Sequence, residues 1–131
     1  LRDGNHCDYR SAVQYVETHS PSKPIVFCTA HFLYEYYATK PADVYELRAL
    51  ADWKTSPEWD ESIVAREITK RMLQANDEDR PLLIVSREDR RSKRDSVQSW
   101  LGKHFTRLTT IEKPRFDHRR NQMVVYRYQP Q

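Results

Sequence analysis

The alternation of apolar and polar positions divides this chain into short strands and amphipathic helices. Asp8 stands where a helix cap belongs, and Ala12, Val13 and Val16 form an apolar stripe that predicts a helix to about His19. Pro21 and Pro24 end it, and Ile25-Val-Phe-Cys-Thr29 is a continuous apolar run, the pattern of a strand buried on both faces. His31 to Ala38, dense in aromatics, sits where a crossover helix should begin; Pro41 stops it, and Val44 to Leu47 reads as a weak second strand. Ser56-Pro57-Glu58 is a helix start, with a cap, a first-turn proline and a first-turn acid. That helix should run to about Ala75 with Val64, Ile68 and Met72 on its buried face. Leu82 to Val85 is the third core strand, Ser92 to Phe105 a helix burying Val97, Trp100 and Leu101, Leu108 to Ile111 a fourth strand and Met123 to Tyr128 a fifth. The last two strands, joined without a helical pattern, should pair as an antiparallel hairpin at one edge. Strands alternating with helices predict one α/β domain over residues 1–131. Its layout should be a three-layer, Rossmann-like or flavodoxin-like sandwich, with about five mostly parallel strands and an antiparallel C-terminal edge strand.

Composition narrows the function classes. No segment approaches the roughly 20 apolar residues needed to cross a bilayer. The polar start Leu1-Arg2-Asp3-Gly4 has neither Met nor a signal-peptide pattern and reads as a cut inside a longer chain. With Gly4 and Gly102 the only glycines, there is no P-loop, no dinucleotide fingerprint and no Gly-x-Ser-x-Gly elbow. The net charge of +3 is uneven: residues 1–60 carry six basic and nine acidic side chains, residues 61–131 sixteen and ten. A basic second half admits an anionic partner such as a phosphate or a lipid headgroup. It lacks the concentrated basic stripe of a nucleic-acid binder, so no nucleic acid is expected.

In an open α/β sheet, ligands sit beyond the carboxyl ends of the strands. Thr29 and His31 should collect there, with the stretch Ser86 to Ser96 after the third strand and Arg115 to Arg120 after the fourth. Arg87, Arg90, Arg91, Arg119 and Arg120 are the candidate phosphate or headgroup contacts, and the Ser86–Ser96 loop leads into a helix N-terminus, which favours anions. Glu88 and Asp89 neutralise part of this loop, and a solvated turn would carry the same residues. A Ser86/His31/Asp89 triad lacks a strained nucleophile turn and a visible oxyanion hole. The histidines show no paired spacing, and His6-Cys7-Asp8 has no partner cluster, so neither a metal nor another cofactor is expected. Trp53 and Trp59 fit either sugar stacking or the end of a small core.

Cys7 and Cys28 leave two readings open. The first helix returns antiparallel to the first strand, so its start and the strand's end should lie close, and a disulfide would close a loop of about 20 residues, worth on the order of 3 kcal/mol. It would require an oxidising compartment. The alternative is that Cys28 is a small buried apolar residue.

Asp8-Tyr-Arg-Ser-Ala-Val-Gln-Tyr-Val16, a Pro-containing turn, Ile25-Val-Phe-Cys28 and the Tyr34-Glu-Tyr-Tyr37 cluster form a unit. It resembles the soluble tail of membrane-embedded glycosyltransferases of the protein O-mannosyltransferase and aminoarabinose-transferase type. In those proteins an Asp-Trp-Arg helix start follows the last membrane helix; Tyr9 stands here for the Trp. The resemblance spans Asp8 to Phe105, and the Ser86–Ser96 loop has no counterpart in it.

The resemblance implies transfer of a sugar from a polyprenyl-phosphate donor by the whole protein, with the catalytic acid in an early extracytoplasmic loop between membrane helices, a region absent from this chain. No catalytic residue carries over. It implies a non-catalytic extracytoplasmic (periplasmic) cap that covers the membrane active site or guides the acceptor, with the transmembrane part of the same polypeptide as partner and polyprenyl-phosphate or anionic headgroups as contacts. The alternatives are a free-standing hydrolase or phosphotransferase using His31, and an interaction module presenting Tyr34, Tyr36 and Tyr37.

Overall fold

The computed structural model describes residues 8–47, 61–89, 95–112 and 121–130. Helix α1 (Tyr9–His19) starts at Asp8, whose carboxylate accepts hydrogen bonds from the Ser11 amide (3.0 Å) and hydroxyl (2.6 Å). Tyr9, Ala12, Val13 and Val16 form its buried stripe. Strand β1 (Ile25–Cys28) is buried at every position, as a continuous apolar run predicts. Helix α2 (His31–Tyr37) and the partly exposed strand β2 (Asp43–Glu46) follow.

Helix α3 (Glu61–Glu78) buries Ile68, Met72 and Ala75, spaced four and three residues apart on one face. Its expected start at Ser56 lies outside the described residues, as do the side chains of Val64 and Val97. Asp79 ends α3 at φ 51°, and the Arg80 amide reaches back to the Ala75 carbonyl (2.9 Å), a left-handed C-terminal cap. Strand β3 (Leu82–Asp89), helix α4 (Asp95–His104), strand β4 (Phe105–Glu112) and strand β5 (Asn121–Tyr128) complete the order.

The five strands form one mixed sheet in the order β2-β1-β3-β5-β4. β1 pairs in parallel with β2 and β3, and β5 pairs antiparallel with both β3 and β4, so β5 alone runs against the rest. The hairpin expected at one edge is present, but its order corrects the expectation: β4 is the edge strand and β5 lies inside. Burial explains this. Met123, Val124, Val125 and Tyr126 are buried on alternating faces, whereas Thr106, Arg107 and Leu108 of β4 are exposed. The register shifts between Arg107 and Thr109, a bulge at Leu108 that interrupts the free edge.

Both faces of the sheet are covered. Tyr9, Ala12, Val13, Val16 and Tyr34 from α1 and α2 pack with Val26, Cys28, Leu83, Val85, Met123 and Val125. Ile68, Met72, Ala75, Trp100 and Leu101 from α3 and α4 pack with Ile25, Phe27, Leu82, Ile84, Val124 and Tyr126. At the entry edge of the parallel strands, Arg80 donates to the Lys23 carbonyl, the Pro24 carbonyl and the carboxylates of Asp43 and Glu78. This one side chain ties together the starts of β1, β2 and β3.

Candidate functional site

The opposite edge, where β1, β2 and β3 end, is where the sequence placed the candidate chemistry. β1 stops at Cys28, yet β3 continues four residues further, paired with β5 from Ser86↔Val124 to Asp89↔Asn121. Ser86, Arg87, Glu88 and Asp89 are therefore strand residues, a correction to the loop expected from Ser86 onward. A partner strand on only one side was enough to extend them. Beyond Cys28, Thr29 continues the ladder first with its backbone and then with its side chain: its amide donates to the Val85 carbonyl (3.1 Å) and its Oγ1 accepts from the Arg87 amide (3.1 Å). The same Oγ1 shares a hydrogen bond with the Tyr9 hydroxyl (3.0 Å), so Thr29 joins α1 to β3 across the end of β1.

Strand alternation puts Arg87 on the α1 face, two residues beyond Val85 and opposite Met123. Its Nε is buried without an acceptor among the described residues, and no carboxylate there pairs with its guanidinium. A buried guanidinium nitrogen left unpaired is costly, and an anionic or carbonyl oxygen is the group that would satisfy it. Arg90, Arg91, Arg119 and Arg120 lie outside the described residues. Their chain neighbours Asp89 and Asn121 are register partners, so the two basic stretches adjoin residues paired side by side.

His31 opens α2 at the same edge, and its Nδ1–H donates to Glu46 Oε2 at 2.7 Å. In a neutral ring, that bond would leave Nε2 as the nitrogen with a lone pair. Ser86 is no partner for it: the Ser86 hydroxyl is buried, opposite Val124 on the α3 and α4 face, on the other side of the sheet from α2. Ser86 and His31 therefore do not form the core of a triad, which the sequence also disfavoured. Cys28 carries a free thiol donating to the Ala30 carbonyl (3.6 Å), and burial pushes its pKa up to about 12. Cys7 lies outside the described residues, as do Trp53 and Trp59.

The tyrosine cluster divides. Tyr34 is core, 1% exposed, whereas Tyr36 is 66% exposed and Phe32, one turn earlier, 61%. Tyr37 packs edge-on against Tyr36 (5.0 Å) and lies under the Arg10 guanidinium (5.3 Å). The Tyr34 hydroxyl has no hydrogen-bond partner among the described residues, and burial together with the Glu17 carboxylate raises its pKa.

No protein-family model, curated protein or solved structure matches this chain. Its own residues carry the functional argument. Among the described residues no three His, Cys, Asp or Glu side chains converge on a metal position, and no helix is long and apolar enough to cross a membrane. Sequence reasoning singled out Thr29, His31 and Arg87 but missed Glu46 and Tyr9 as polar partners. Glu46 was legible in principle, because parallel pairing of β1 with β2 sets Cys28 beside Glu46, three residues from His31.

Proposed function

We propose that this chain is the extracytoplasmic C-terminal domain of a membrane-embedded glycosyltransferase that uses a polyprenyl-phosphate sugar donor, and that the domain is itself non-catalytic. It caps the membrane active site or guides the acceptor, on a Rossmann-like, three-layer variant whose β5 is inverted.

The observation that supports the reading is the use the fold makes of Asp8-Tyr9-Arg10, the motif on which the resemblance rests. Asp8 caps α1, the Tyr9 hydroxyl reaches Thr29 at the end of β1, and Arg10 covers Tyr37 of the aromatic cluster. Each residue of the motif joins a different part of the unit, which gives a physical reason for the three to occur together. The same edge carries the Arg87 Nε, which has no acceptor among the described residues, and Arg90, Arg91, Arg119 and Arg120 follow or precede its strands in sequence. In this reading these five arginines are the contacts to headgroups or the donor phosphate, a cation near an anionic surface being worth about 1 kcal/mol.

An immunoblot for this domain on fractionated cells of its source tests the reading. The expected band is several times heavier than 15.7 kDa and leaves the pellet only with detergent. A band near 15.7 kDa in the soluble fraction overturns the proposal.

A further inference from the structure

At the other end of the sheet, where the parallel strands begin, the loop after α1 and the connection from α2 to β2 enclose a cleft of about 300 Å³. Tyr34 forms part of its wall, together with Ser20, Ser22 and the rings of Pro21, Pro24 and Pro41. Two features define what it can hold. Tyr34 is 1% exposed and its hydroxyl is unpartnered among the described residues, a buried polar atom for which a ligand hydroxyl would supply the missing bond. The ionic groups at the rim, by contrast, are already engaged. Glu17 accepts from the Thr39 amide and hydroxyl and the Lys40 amide, Lys40 Nζ donates to the Glu17 carbonyl, and Lys23 pairs with Asp43. Each rim cation already lies beside a carboxylate, Lys23 by Asp43 and Lys40 by Glu17, so the rim presents no unmatched charge to draw an ion in preference to a neutral molecule.

We infer that this cleft is a binding site for a neutral, hydroxyl-rich ring of monosaccharide size. The proline rings offer apolar faces to the C–H side of such a ring, and Ser20, Ser22 and Tyr34 offer hydroxyls that both donate and accept, the pairing a polyol needs. The volume is at the small end of ligand pockets, enough for one such ring. The inference is independent of the proposed function: it concerns the opposite edge of the sheet and would hold for a free-standing protein.

The test is a two-dimensional amide NMR titration of the 131-residue chain with glucose, galactose, mannose and N-acetylglucosamine, and with inorganic phosphate as the anionic control. The expected result is saturable shifts confined to Ser20, Ser22, Lys23 and Lys40 with at least one sugar at millimolar concentration, and none there with phosphate. Tyr34→Phe should weaken that binding about 3- to 10-fold, the loss of one hydrogen bond. Ser22→Trp, which fills the exposed mouth and leaves the core untouched, should abolish it and decides the matter should Tyr34→Phe not fold. Absence of localised shifts with all four sugars, shifts with phosphate alone, or unaltered sugar binding by Ser22→Trp each overturns the inference.

Discussion

Thr29 is one hydroxyl with two buried bonds, to the Tyr9 hydroxyl and from the Arg87 amide, so its removal should be felt more than removal of either partner group. Thr29→Val, nearly isosteric, is expected to cost about 2 kcal/mol in urea denaturation and Tyr9→Phe about 1 kcal/mol. Equal losses would mean that the Arg87 amide finds another acceptor. Asp43 gives a pH signature. The hydrogen bond from Arg80 holds its carboxyl below the ordinary value of 3.8. Because the folded-state value is the lower one, the stabilisation is complete above the unfolded value and is lost as pH falls through the folded one. Asp43→Asn should therefore flatten the acid limb of stability below about pH 4, and denaturation midpoints measured from pH 2 to pH 6 would show it. Cys28 should resist thiol reagents until the chain unfolds, since only the thiolate attacks and burial suppresses it. Labelling at the rate of an unfolded control would contradict that burial.

The elements differ in how plainly the sequence declared them. α1, β1 and the buried face of α3 were legible because each carries an undiluted period: Ala12, Val13 and Val16 on a helix, four consecutive apolar residues in β1, and Ile68 with Met72. The polar half of β3 was not, since Ser86-Arg-Glu-Asp89 has the composition of a turn and becomes a strand through pairing with β5, a partner more than thirty residues away. Propensity gives way there to a long-range ladder. The edge-site chemistry was half visible for the same reason: Arg87 and His31 stand out as residue types, but Glu46 and Tyr9 become partners only once strand register and helix direction are fixed. Two element-level outcomes are checkable by denaturation. Ile68→Ala should cost about 2 to 5 kcal/mol by opening a cavity under α3. Asp79→Gly should be neutral or stabilising by up to about 1 kcal/mol, because Asp79 adopts the left-handed conformation that glycine enters without strain.

Across the whole molecule the two ends of the sheet have different characters. The entry edge is knitted by Arg80, Asp43, Lys23 and Glu17 into closed ion pairs and hydrogen bonds, whereas the exit edge leaves the Arg87 guanidinium without a carboxylate among the described residues. Association with anionic vesicles should accordingly depend on the exit edge. A variant with Arg87, Arg90 and Arg91 all changed to Gln is expected to lose most of its co-sedimentation with phosphatidylserine vesicles at low salt, while Lys23→Gln keeps it. The reverse pattern would place the membrane-facing surface at the other end.

The inverted β5 carries a consequence for how the chain is made. It is the last of the five described strands in chain order, yet it occupies the slot between β3 and β4. Until residues 121–128 have left the ribosome, β3 from Leu83 to Asp89 has an open hydrogen-bonding flank, and the apolar residues of β4 have no sheet to join. A nascent chain paused before Asn121 therefore exposes the kind of sticky edge that neighbouring chains can add to. The interval between synthesis of β3 and of β5 sets how long that edge stays open.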